Sequence, residues 1–340
     1  MKLKCFEKIK KKNTNKTFPL VSFIVPTLNA EKTIKFCLNS ITDLNYPKDL
    51  IEIILIDNGS TDNTLRVAQT YNIKIFVKPE LTIGGLRNFG AKVAKGDIFA
   101  FVDSDCIIEK NWLKNTLKVL SNPSVGATGC GYEISPNASW VEKSWFVLRE
   151  ASRKKVNFIP AGNLIIKRKV FEQVGGFDEN LITGEDYNLC DKIKRAGYLV
   201  ISDNSIRAVH LGNPKTLRTF FKKEIWYGLG MISSSKDFAN KIVILSHLFL
   251  FLLLTLLYAL FQKNFLLFLS TFVIILFIIS ISAFYRNFIK PNKSRNVKYF
   301  FYLIPLYFFY FLGRSVSLLH IYKRWIINKF KNIRFKLWEL

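Results

Sequence analysis

Cysteine is scarce in this chain and badly placed for pairing. The five residues (Cys5, Cys37, Cys106, Cys130 and Cys190) are odd in number, scattered, and never spaced CxxC. That argues against a disulfide framework and a cysteine zinc site and fits a reducing compartment, where sequon-like triplets such as Asn58-Gly59-Ser60 carry little weight. No apolar h-region follows the basic N-terminus, so no cleaved signal peptide is expected. Acidic residues are also short, 25 Asp and Glu against 50 Lys and Arg, which leaves a formal net charge of +25. Such an excess points to an anionic partner: nucleic acid, nucleotide phosphates or an acidic membrane surface. No finger, basic zipper or RNA-binding aromatic signature accompanies it, which ranks nucleic acid low.

What is present is unevenly placed. From Lys241 onward Leu, Ile, Phe and Tyr dominate, whereas the first two thirds read as an ordinary soluble domain. Lys8, Lys10, Lys11 and Lys12 crowd the N-terminus, and basic residues recur at 286–298 and 322–336, either side of a hydrophobic stretch. Clusters so placed attract anionic lipid headgroups, at about 1 kcal/mol per charge near the surface. Ile242–Phe261 and Phe265–Tyr285 are apolar runs of about 20 residues, each enough for a helix across a bilayer. Gln262-Lys263-Asn264 then makes a tight hairpin between them. A buried core pair is the alternative, and runs this long argue against it. Tyr299–Leu319 is the weaker candidate, because it holds Pro305, Gly313 and Arg314. Two spans return the basic 286–298 loop to the side of the N-terminal domain, as the positive-inside rule prefers for a cytoplasmic domain. A third would carry the basic tail across. The 299–319 segment is therefore expected to be re-entrant or interfacial.

Short continuous apolar runs at Leu20–Val25, Ile51–Ile56, Ile73–Val77 and Ile98–Val102 read as strands buried on both faces of a parallel sheet. Helical stripes lie between them: Ile34, Cys37, Leu38 and Ile41 in one, Leu86, Phe89 and Val93 in another. The alternation predicts an α/β fold with right-handed crossovers and a doubly wound sheet. Beyond Ser121, Trp140–Lys155 reads as a helix, Leu164–Ile166 as a strand, and Glu185–Ala196 as a helix that Thr183 can cap and Gly197 ends. Residues 214–240, with Phe220, Phe221, Lys222, Lys223, Trp226 and Tyr227, read as interfacial helices.

In open parallel sheets ligands bind beyond the carboxyl ends of the strands. Pro26-Thr27-Leu28-Asn29, Asp57-Asn58-Gly59-Ser60 and Asp103-Ser104-Asp105 all fall there. Two carboxylates flanking a small residue can hold Mg²⁺ or Mn²⁺, which bridges diphosphate oxygens; alone, such a triplet more often just closes a strand. Ser60 or Asp62 can cap the following helix, and Asp57 is the residue placed to accept from a base or ribose. Gly84-Gly85-Leu86-Arg87-Asn88 opens a helix whose amides, with the Arg87 guanidinium, suit phosphate oxygens. Glu185 and Asp186 lie in a first helical turn, where the dipole favours acids regardless of function and would keep a general base ionised. His210 is a candidate third metal ligand, although a lone histidine more often has a local structural role. Cys106 needs no role beyond packing.

The ordered set VSFIVPTLNA (21–30), LIDNGSTDNT (55–64), GGLRNFGAKVAKGD (84–97), FVDSDC (101–106), AGNLIIKRKVFEQVGGFDE (161–179), GEDYNLCDKIKRAG (184–197) and VH (209–210) resembles the family 2 glycosyltransferases of the GT-A fold. It covers roughly residues 18–215. The resemblance implies a Rossmann-like, mostly parallel sheet and an inverting enzyme that takes a sugar from a UDP- or GDP-sugar with Mg²⁺ or Mn²⁺. Pro26, Thr27 and Asn29 would line the base and ribose pocket, Asp57 would contact the base, and Arg87 would lie near ribose or phosphate. Asp103 would contact donor ribose or metal, and Asp105 would bind the metal. Gly162 and Asn163 would shape the donor-sugar and acceptor pocket. Asp186 would be the base and Glu185 would position the acceptor. Glu109-Lys110 stands where the family often has proline, and the QxxRW motif of processive members is absent, the nearest segment being Lys223-Glu224-Ile225-Trp226-Tyr227. That favours single-sugar transfer.

The expected organisation is a basic tail (1–17), a catalytic domain (18–213), interfacial amphipathic helices (214–241), a transmembrane region (242–319) and a basic tail (320–340). A cell-membrane enzyme with a cytoplasmic catalytic domain and a lipid-linked or envelope-glycan acceptor follows, or alternatively a polyprenyl-phosphate sugar synthase. Among rivals, a nucleotidyltransferase lacks its glycine-rich basic loop near the first strand. A degenerate nucleotide-binding membrane scaffold would have lost Asp105 or Asp186, and both are present.

Overall fold

A computed structural model describes residues 18–146, 153–234, 241–289 and 296–336, with side chains described outside 231–234 and 324–336. The tail 1–17 and Cys5 lie outside these residues. The strands are β1 (Val21–Thr27), β2 (Ile51–Asp57), β3 (Lys74–Val77), β4 (Ile98–Val102), β5 (Cys106–Ile108), β6 (Val125–Gly129), β7 (Lys154–Lys155), β8 (Asn163–Lys167), β9 (Leu199–Ser202) and β10 (Ala208–His210). The helices are α1 (Ile34–Thr42), α2 (Thr64–Ala68), α3 (Ile83–Val93), α4 (Trp112–Leu120), α5 (Trp140–Trp145), α6 (Arg168–Gln173), α7 (Glu185–Arg195), α8 (Leu217–Ser234), α9 (Lys241–Phe261), α10 (Phe265–Phe284) and α11 (Val297–Lys336).

Eight strands form one sheet in the order β3-β2-β1-β4-β8-β6-β9-β7. The β3-β2-β1-β4 half is parallel, β8 runs antiparallel between β4 and β6, and β9 is parallel to β6. The fold is the expected α/β architecture. Apolar runs at 21–25 and 98–102 make β1 and β4 buried along their whole length, because helices cover both faces. On one face Phe23, Val25 and Leu55 meet Ile34, Leu38 and Ile41 of α1 with Trp112. On the other, Ile24, Ile56, Phe99 and Phe101 meet Leu86 of α3, Phe171, and Leu189 and Ile193 of α7. One strand departs from expectation: β3 closes the sheet edge and leaves Val77 exposed.

The helix expected over 140–155 is cut short. α5 starts at a capping box, with Ser139 Oγ accepting from Glu142 N (3.3 Å) and Glu142 Oε2 accepting from Ser139 N (2.8 Å). It ends at Trp145, and Lys154–Lys155 pair with β9 as a strand. Residues 147–152 lie outside the described set.

At the C-terminus the hairpin forms where expected. Lys263 takes φ 53°, and Asn264 Oδ1 caps α10 by accepting from Leu267 N at 3.0 Å. Phe261, Phe265 and Leu266 flank it at 83%, 74% and 77% exposure, a surface suited to lipid. Over 299–319, expected to be re-entrant or interfacial, the chain is one helix, α11, continuous through Pro305. Among the described residues three helices are long and apolar enough to cross a membrane: Lys241–Phe261, Phe265–Ile289 and Val297–Lys323. Part of the expected interfacial region is the single helix α8, packed along α11.

Candidate active site

The loops that leave β1 and β2 are stapled to each other. Asn29 takes a left-handed backbone (φ 48°), and its N–H donates to Ser60 Oγ (2.8 Å) while its Oδ1 accepts from Thr61 N (2.9 Å). Ala30 N donates to Thr64 Oγ1 (2.7 Å) and Glu31 N to Asp62 Oδ2 (3.1 Å). Ser60 and Asp62 therefore join two loops; Asp62 Oδ1 also accepts from the N–H of Thr64 (3.0 Å), the first residue of α2, whereas Asn63 at the N-cap makes no side-chain cap bond. Asp57 is fully buried: its carboxylate accepts from Gly59 N (2.9 Å), Ser60 N (2.7 Å) and Ser60 Oγ, so it organises its own turn. Both its oxygens accept from within this loop. Pro26 is buried in β1, and buried Thr27 leaves its Oγ1 without a partner among the described residues.

Arg87 is buried inside α3 instead of facing an open phosphate site. Its Nη1 donates to Glu185 Oε1 (2.6 Å) and its Nη2 to Asp103 Oδ1 (2.8 Å), joining acids 98 and 16 residues away in sequence. The helix N-terminus is also taken, because Thr82 caps it by accepting from Gly85 N at 3.2 Å. On the far side of Asp103, Oδ2 faces the Tyr132 hydroxyl at 3.4 Å. A Cβ at Gly162 would fall 2.2 Å from that oxygen and 2.4 Å from the Tyr132 hydroxyl, so only glycine leaves Asp103 in place. Asn163 is a clamp: its Nδ2 donates to Cys130 O (3.1 Å) and Ile206 O (3.0 Å), and its Oδ1 accepts from Trp112 Nε1 (2.9 Å). Fully buried, it is not offered to a sugar. Tyr132 and Trp112 are site residues that sequence reasoning missed; neither belongs to a motif block.

The β5–β10 ribbon builds the second half. Its register sets His210 against Cys106, which brings His210 Nε2 to 3.4 Å from Asp105 Oδ1, with the imidazole against the Tyr132 ring at 4.5 Å between centroids. Burial, with Asp103 nearby, holds the Asp105 carboxyl above its usual range, against the pull of His210; burial likewise holds His210 below its usual range. His210 Nδ1 is buried without a partner among the described residues. One donor atom each from Asp105, Cys106 and His210 lie within 4.8 Å of one another. Burial pushes the Cys106 thiol well up, leaving it a neutral packing group. A carboxylate and an imidazole, short of positive charge and with an orphaned ring nitrogen, fit Mg²⁺ or Mn²⁺.

The α7 start differs from expectation. Gly184, at φ 85°, is the N-cap, and Thr183 makes no cap bond. The left-handed turn aims the two acids apart. Glu185 points inward to Arg87, whereas Asp186 is half-buried, with Oδ1 accepting from Tyr187 N at 2.7 Å. Burial, then the Glu185 charge, push the Asp186 carboxyl up to about 6, so the helix dipole expected to keep it ionised is outweighed.

The chain is similar to known glycosyltransferases in sequence and fold. The model described as Glycosyl transferase family 2 matches residues 22–175. Glycosyltransferase AglE of Haloferax volcanii is 30% identical over 228 residues, covering 64% of this chain and 74% of its own. The dolichyl N-acetyl-alpha-D-glucosaminyl phosphate 3-beta-D-2,3-diacetamido-2,3-dideoxy-beta-D-glucuronosyltransferase of Methanococcus voltae is 26% identical over 267 residues, covering 69% and 80%. The structure of the mannosyltransferase PcManGT from Pyrobaculum calidifontis, in complex with GDP-Man and Mn²⁺, superposes with a TM-score of 0.58 at 21% identity, covering 89% of this chain and 88% of that one.

Proposed function

The chain belongs to glycosyl transferase family 2, and from that premise we propose an inverting enzyme that moves one sugar from a nucleotide-diphosphate sugar to a lipid-linked or cell-envelope glycan acceptor at the membrane. The observation that carries this reading is the asymmetry of two adjacent acids. Glu185 is neutralised by Arg87, while Asp186 is left half-open with its carboxyl near 6. A general base works best when its pKa lies near the operating pH, which is worth about 10²–10⁴-fold.

Asp186 takes the proton of the acceptor hydroxyl as that oxygen bonds to the anomeric carbon. The bond from that carbon to the diphosphate oxygen breaks on the opposite side, and the configuration inverts. Asp105, with Asp103 and His210, would hold Mg²⁺ or Mn²⁺, which when bound supplies positive charge to the departing diphosphate. Arg87 fixes Asp103 and Glu185, and through Glu185 the start of α7. Thr27, with its unpartnered hydroxyl, and the exposed Asn29 line the nucleoside side.

The relatives support the substrate classes. The Methanococcus protein is named for a dolichyl phosphate-linked sugar, and the Pyrobaculum structure holds GDP-Man and Mn²⁺. The three apolar helices support action at a membrane, and the basic 286–298 loop supports a cytoplasmic catalytic side. Incubating detergent-purified protein with a panel of UDP- and GDP-sugars, with Mn²⁺ or with chelator, tests the reading. Nucleotide release that needs the cation and is lost in Asp186→Asn is expected; no turnover of any donor would overturn it.

A further inference from the structure

One cation at the acidic centre has no assigned task. Lys223 lies on α8, half-buried. Its Nζ makes one long hydrogen bond, 3.4 Å to the carbonyl of Gly212. Gly212 touches the metal-side acid, since a Cβ there would fall 1.9 Å from Asp105 Oδ2. Lys223 thus stands one residue's thickness from Asp105, yet among the described residues no carboxylate forms an ion pair with it. An ammonium brought this close to an acidic cleft without closing on it is placed to serve a third party that is anionic.

What holds Lys223 there is the C-terminal helix. Its neighbour Glu224 is buried and accepts from Arg314 of α11 through Nε (3.1 Å) and Nη2 (2.8 Å). A Cβ at Gly313 would fall 2.9 Å from Glu224 Cβ, and one at Gly228 would fall 2.1 Å from Ser317 Oγ, so the two helices touch backbone to side chain. The Tyr227 ring lies between Lys223 and Arg314, 5.8 Å from each cation.

We infer that Lys223 is a binding residue for the diphosphate of the nucleotide donor, delivered to the cleft by α8 and held in place by α11. The inference rests on the nucleotide-sugar reading above. Titration calorimetry on the full chain in detergent with Mn²⁺, using UDP and GDP against UMP and GMP, separates the two ideas. Lys223→Ala should weaken the diphosphate by about 10- to 100-fold, the scale of one charge-assisted hydrogen bond, and the monophosphate by much less. Lys223→Arg should restore most of the loss, and Lys222→Ala, on the exposed neighbour, should leave both affinities unchanged. Glu224→Gln should reproduce part of the loss by loosening α8, and it keeps the test open if Lys223→Ala folds poorly. If wild type binds no nucleoside diphosphate, the functional reading fails. If wild type binds it and Lys223→Ala binds it equally well, or loses only affinity for a polyprenyl phosphate acceptor, the assignment of Lys223 to the donor is overturned.

Discussion

The two sides of the cleft are built on opposite principles. On the nucleoside side, the loops after β1 and β2 spend their polar groups on one another, through Asn29, Ser60, Thr61, Asp62 and Thr64. On the metal and base side, groups are crowded and left short of partners: Asp105 and Asp186 are pushed up by burial and by neighbouring acids, and His210 keeps an orphaned nitrogen. The first side is largely satisfied by its own hydrogen bonds, with the Thr27 hydroxyl as an exception. The second stores unfavourable electrostatics that the proposed cation and substrate would relieve, an arrangement typical of functional sites. Substitutions should therefore reduce stability on one side and activity on the other.

Arg87, which ties Asp103 to Glu185, should show the largest effect. Arg87→Met leaves Glu185 buried and unpaired and half-buried Asp103 without its cation, at a cost of about 3–5 kcal/mol, read as a large drop in thermal midpoint with loss of transfer. Asp186→Asn should lower kcat by about 10²–10⁴-fold while nucleoside diphosphate affinity by calorimetry stays within a few-fold. Asp57→Ala, on the nucleoside side, should do the reverse. Loss of three accepted hydrogen bonds costs about 1–3 kcal/mol in denaturant melts, with kcat changed little.

The finest test uses pH. The Asp186 carboxyl is raised from 3.8 to about 6 in the fold, so the stability tied to its neutral form is present below about pH 4 and lost as pH rises through 6. Asp186→Asn should then stabilise the protein at pH 8 by about 1–2 kcal/mol, discounted for partial exposure, and make no difference at pH 4. The same group should give transfer an acid limb centred near pH 6, falling tenfold per unit below it. A destabilised Asp186→Asn at pH 8 would erase the distinction between the two sides.

Local patterning made the sheet readable, since β1, β2 and β4 are continuous apolar runs that no other element explains. The acids were readable because each closes such a run or opens a helix. Their mutual arrangement was not, because it depends on contacts across the chain: Arg87 reaches 98 residues to Glu185, and Asn163 reaches 51 residues to Trp112. Three-residue strands such as β5 and β10 carry too little periodicity to detect, yet they place His210 beside Asp105. The cap expected at Thr183 gave way to Gly184 because the chain turns through a left-handed conformation there, which propensity alone does not reveal.

The ion pair between Glu224 and Arg314 also bears on how divisible this protein is. A catalytic unit with a detachable anchor could be trimmed at residue 240 to give a soluble enzyme. Here that cut would strip α8 of its partner, leaving the Glu224 carboxylate without its cation and uncovering the fully buried Phe220. Gene fusions and shortened versions of this enzyme should keep residues 217–323 intact, because a helix long and apolar enough to cross a membrane also holds the helix that reaches the acidic cleft.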